Sequence, residues 1–75
     1  MNLNQLHHGQ CATIRSFNGG LLSFTQYCAD LGISAGAKIQ LMRRAPGQGP
    51  LQIKVLGTLY AIRPDDAKNI KVTTS

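Results

Sequence analysis

The run "HHGQC" places His7, His8 and Cys11 within five residues, and imidazole with thiolate is the ligand chemistry of zinc and other transition metals. A structural zinc site takes four ligands. The other cysteine, Cys28, falls on the apolar face of an expected helix. His7, His8 and Cys11 are therefore a weak metal-ligand set, set against a plainer reading: a solvated histidine pair in a leading loop.

Other chemistry is harder to assemble. The acids are Asp30, Asp65 and Asp66 only, which offers almost nothing for general acid/base work. The "GQG" at Gly47–Gly49 lacks the following Lys-Ser or Lys-Thr and the strand-to-helix context of a phosphate-binding loop, so it reads as a turn. The sequence thus predicts a protein that is not an enzyme and carries no cofactor. Eight Lys and Arg against three acids give a formal charge of +5, which suits an acidic partner surface, nucleic acid or an anionic membrane leaflet, or serves solubility alone.

With 75 residues, 43% of them hydrophobic, the chain is expected to form one domain, residues 1–75, near the size at which a single core suffices. The opening "MNLNQLHHGQ" has no basic region followed by a long apolar run, and no stretch is apolar enough to span a bilayer. A cytoplasmic location follows as an expectation, with Cys11 and Cys28 as free thiols.

Alternation marks the strands. "QCATIRSF" puts Ala12 and Ile14 on one side and Thr13 and Arg15 on the other; "AKIQLMRR" puts Ile39 and Leu41 inward; "LQIKVL" does the same with Leu51, Ile53 and Val55. "APGQGP" between the last two supplies a longer hairpin loop. Gly57 marks a tighter reversal into "LYAIR", whose buried face the alternation leaves open. Pro64, Asp65 and Asp66 open a short turn before a final strand at "NIKVT". Five short strands in so small a chain predict a small barrel.

One helix interrupts them, between the first and second strands. Ser23 and Gln26 have the spacing of a capping box, with Leu22 and Tyr27 at the staple positions. Phe24, Tyr27, Cys28 and Leu31 follow the spacing of one apolar face. Gly32 stands where a helix ends in a residue of positive φ, and Ile33 where such an end packs an apolar side chain back. Gly36 suits the third position of a type II turn through Ser34–Ala37.

With these elements placed, "LGISAGAKIQL" followed by "RRAPGQGPLQIKVLGTLYAIRPDDAKNIKV" resembles the ferrous iron transport protein A family, FeoA, at Leu31, Gly32, Ile33, Gly36, Ala45, Pro46, Pro50, Ile53, Val55, Gly57, Arg63, Ala67, Ile70 and Val72. The opening "LHHGQCATI" resembles that family's start at Leu6, Gly9, Ala12 and Ile14. The resemblance implies a mainly β, SH3-like β-barrel of five short strands with one short helix. It also implies a small accessory protein whose partner is the cytosolic domain of the ferrous iron permease B, a membrane protein. The candidate contacts are Leu22 and Leu56, with Arg43 and Arg44 as a charged rim. The helix "SFTQYCAD" lacks the arginines that relatives often carry there, and Gly49 stands where an acid is common.

Two alternatives belong to other classes: an SH3-like nucleic-acid-binding module, and a stand-alone relative of the C-terminal domain of metal-dependent transcriptional repressors. Few aromatic residues are available to stack on bases or to line a groove for proline-rich peptides, so no nucleic-acid partner is expected.

Overall fold

Pleat alternation decides which side chains enter the core. In the computed structural model, residues 1–19 and 22–74 are described, Leu22 by its backbone alone. Strand β1 (Cys11–Phe17) buries Ala12 and Ile14; β2 (Lys38–Arg44) buries Ile39 and Leu41; β3 (Leu51–Val55) buries Leu51, Ile53 and Val55. β4 (Thr58–Ile62) turns Tyr60 and Ile62 inward, which settles the face left open by its sequence. β5 (Ile70–Thr74) buries Ile70 and Val72.

The strands form one antiparallel sheet in the order β4-β3-β2-β1-β5. Its two ends, β4 and β5, do not pair with each other, so the expected barrel is a rolled, open sheet. A short helix, α2 (Pro64–Ala67), joins the two edges and sends Ala67 into the core. Irregularities between Ile14 and Ser16 in β1, and between Leu41 and Arg43 in β2, bend those strands, as extra residues in a ladder do.

The helix α1 (Leu22–Asp30) lies between β1 and β2 in sequence and contributes buried Cys28 with partly buried Phe24. Leu22 is its first residue, so Ser23 is inside the helix and not its cap; the preceding residues 20 and 21, where a cap would lie, are outside the described residues. Ser23 is therefore not placed to cap the helix with Gln26, because α1 starts two residues before Phe24, the first helical residue of a helix capped by Ser23. Tyr27 also departs from expectation, being 59% exposed. A short helix lying on a small sheet buries a narrow stripe, here Phe24, Cys28 and Leu31, and Tyr27 falls at its margin.

The end of α1 is set by backbone geometry. Gly32 has φ +84°, its N–H donates to the Ala29 carbonyl at 3.1 Å, and the Ile33 N–H donates to the Cys28 carbonyl at 2.8 Å. That pair of bonds is a Schellman motif, and Ile33 is buried. Gly36, at φ +92°, occupies the third position of a turn closed by Ala37 N–H to Ser34 C=O at 3.0 Å. Its own N–H reaches the Ile14 carbonyl at 2.7 Å, so the turn delivers the chain onto β1.

The N-terminus contributes more than its sequence suggests. A 3-10 turn, Leu3–Gln5, buries Leu3, and Leu6 follows it into the core. Arg44 holds this segment down: Nη1 donates to Asn4 Oδ1 at 2.8 Å, and Nη2 donates to the carbonyls of Asn4 at 2.6 Å and Leu6 at 3.3 Å. We expect Arg44→Ala to destabilise the domain by about 1 kcal/mol and to speed amide exchange in residues 3–6. Arg44→Lys should rescue little, because an ammonium cannot reproduce the planar fork. Unchanged exchange in that segment would contradict this role.

Candidate partner-binding site

The two-residue connection between β3 and β4 fixes the most exposed apolar side chain of the sheet. Val55 pairs with Thr58, leaving Leu56 at φ +51° and Gly57 at φ +82°. Positive φ at both central residues defines a type I′ turn, which favours Asn-Gly or Gly-Gly. Gly57 meets that preference; Leu56 does not. A bulky non-glycine residue in the left-handed region is uncommon and strained. Leu56 is also 87% exposed, so neither local conformation nor burial explains the residue.

The tip leans over the end of α1. A Cβ built on Gly32 would stand 3.6 Å from Leu56 Cδ1, so the Schellman turn and the hairpin tip form one surface. Beside them Leu59 is 57% exposed and pairs with Lys54 across the outer face of the sheet. Lys38, Lys54 and Gly57 share with Cys11 a shallow, mainly apolar depression of about 270 Å³. Leu59 escaped the sequence reading, although the signal was present: taking Leu56–Gly57 as a two-residue turn sets the β3–β4 register and turns Leu59 outward.

The other candidate contacts are dispersed. Arg43 is exposed on β2 opposite Gln52, whereas Arg44 is engaged by Asn4 and Leu6. The side chain of Leu22 lies outside the described residues. His7, His8 and Cys11 are all exposed, and among the described residues no three His, Cys, Asp or Glu side chains are grouped to hold a metal ion. The His7 N–H donates to Gln10 Oε1 at 2.9 Å and the His7 carbonyl accepts from Gln10 N–H at 3.0 Å, which accounts for the loop without a ligand.

Cys28 belongs to the core. Burial, with a smaller contribution from the negative charge of Asp66, pushes its thiol up from 9.0 to about 11. Between these values the unfolded chain releases a proton that the folded chain retains, so stability should fall as pH rises through that window. The loss by its upper end is on the order of 2 kcal/mol. Comparing the pH dependence of the unfolding midpoint with that of Cys28→Ala checks this, since the substitution should flatten the slope. Equal slopes would contradict the assignment.

The chain is similar in structure to the FeoA protein of Chlorobium tepidum, with a TM-score of 0.92 at 30% identity, covering 99% of this chain and 70% of that one. It is similar to Stenotrophomonas maltophilia FeoA, an SH3-domain protein complexed with zinc, at 25% identity and a TM-score of 0.84, covering 97% of this chain and 89% of the other. A manganese-dependent transcriptional repressor in complex with manganese shares the fold, with a TM-score of 0.90 at 18% identity over all of this chain and 36% of the repressor. No functionally curated protein matches the chain. Residues 1–74 match the FeoA domain, and the chain, with its SH3-like fold, belongs to the FeoA family.

Proposed function

We propose that the protein is a cytoplasmic, non-enzymatic accessory of ferrous iron uptake that binds the cytosolic part of the ferrous iron permease B and regulates it. Membership of the FeoA family supports the link to ferrous iron transport. The observation that carries the binding reading is Leu56, strained at φ +51° and 87% exposed at a turn where asparagine or glycine would be relaxed. Strain combined with apolar exposure favours a residue retained for a partner. Leu56 supplies the apolar anchor, and Arg43 contributes to orientation and encounter rate. Among the described residues no helix is long and apolar enough to cross a membrane, and binding the permease would hold the chain at the membrane periphery.

Titration of the permease's cytosolic domain tests this reading. Saturable binding is expected, weakened more by Leu56→Asp than by Arg43→Ala. Absence of binding to that domain would contradict it.

A further inference from the structure

The basic residues of this domain differ in what holds them. Of the eight basic residues, Arg63 is paired with Asp66 at 3.1 Å, Lys68 with Asp65 at 3.8 Å, and Arg44 is clamped on the N-terminal segment. The other five, Arg15, Lys38, Arg43, Lys54 and Lys71, are all exposed. Register puts them on the outer side of the rolled sheet, where Lys38 and Lys54 line one depression with Cys11 and Gly57, while Lys71 lies with Lys68 in another. Lys38 pairs with Thr13 and Lys54 with Gln40, Arg43 lies opposite Gln52, Lys71 falls between buried Ile70 and Val72, and Arg15 Nε donates to Thr73 Oγ1 at 2.9 Å. The acids lie elsewhere, Asp30 at the end of α1, Asp65 and Asp66 on α2. The outer face of the sheet is therefore basic and free of acids.

We infer that the part of this face around Lys38, Lys54 and Leu59 is a docking surface for an anionic phospholipid bilayer, an association that does not depend on the permease. Cations near an anionic leaflet attract it additively. Apolar groups favour the same target over nucleic acid: Leu59 emerges from this face beside Lys54, more than half exposed, and a leucine among lysines suits the boundary between headgroups and acyl chains. A phosphate backbone has no use for it. Nor does the face offer stacking groups, since Phe17, Phe24 and Tyr60 pack against the core and Tyr27 is on α1. The single-stranded nucleic-acid surfaces that combine charge with aromatic platforms are not built this way.

Co-sedimentation of the full chain with vesicles tests the inference. Binding is expected to vesicles of equimolar phosphatidylcholine and phosphatidylglycerol at low ionic strength, to fall as salt is added, and to be absent with phosphatidylcholine alone. Lys38→Ala with Lys54→Ala should weaken it by about 25-fold, taking about fivefold for each basic residue removed. Leu59→Ser should weaken it further. Arg63→Ala with Lys68→Ala removes the same formal charge away from the Lys38–Lys54 patch and should stay within about twofold of the parent chain. Circular dichroism confirms that each variant is folded. Equal losses in the two double variants would overturn the inference, because net charge alone would then account for binding. So would retention of duplex DNA at physiological salt without vesicle binding, or no binding to either.

Discussion

Replacing Gly32 by valine is expected to destabilise the domain by on the order of 2 to 3 kcal/mol. The cost is conformational. Gly32 sits at φ +84° and carries one of the two hydrogen bonds that close α1; a β-branched residue there either bears the strain or abandons the turn. The space itself is not prohibitive, since a Cβ would meet Leu56 Cδ1 at an ordinary 3.6 Å. For a domain of this size the loss should lower the thermal midpoint by roughly 10 to 20 °C. Gly32→Asn, which tolerates the left-handed region better, should lose clearly less. Equal losses in the two variants would show that volume, not backbone strain, limits this position.

The second large effect is expected at Leu56, and its two readouts should move in opposite directions. Leu56→Asn restores the preferred Asn-Gly sequence of a type I′ turn and removes an 87% exposed leucine. Its stability should rise by about 0.5 to 1 kcal/mol. Binding to the permease domain should fall by roughly 10- to 100-fold, the equivalent of about 1.5 to 3 kcal/mol of leucine burial. A purely structural leucine would not behave so, because removing it would not weaken a partner while strengthening the fold.

Much of the fold was legible in the chain because its signals were local. Ile39 with Leu41, and Leu51 with Ile53 and Val55, alternate cleanly and are buried as that alternation requires. Gly32 and Gly36 follow periodic stretches at positions where positive φ has a geometric purpose. The start of α1 lies two residues before the one that a Ser23 cap implies, because Ser23 and Gln26 satisfy a pattern that also occurs inside helices. The burial of Leu3 was invisible for a different reason: it depends on Arg44, distant in sequence, gripping Asn4 and Leu6. Long-range contacts of this kind leave no periodic trace.

The candidate site shows the same division. Leu56 was accessible as an apolar residue before a turn glycine, but its left-handed backbone and its place over Gly32 are products of the folded hairpin. Arg43 and Arg44 are adjacent in sequence and look equivalent. The pleat separates their fates, and the bulge between Leu41 and Arg43 decides which goes where, leaving Arg43 opposite Gln52 on the outer face while Arg44 turns to the N-terminal segment.

We propose that the hairpin tip meets the permease. Calorimetric titration of the permease's cytosolic domain with the parent chain and with Leu56→Asn tests it most directly. Saturable binding by the parent chain is expected, with a loss of at least about tenfold in the variant, although the variant is the more stable protein. Undiminished affinity in a folded Leu56→Asn variant would contradict it.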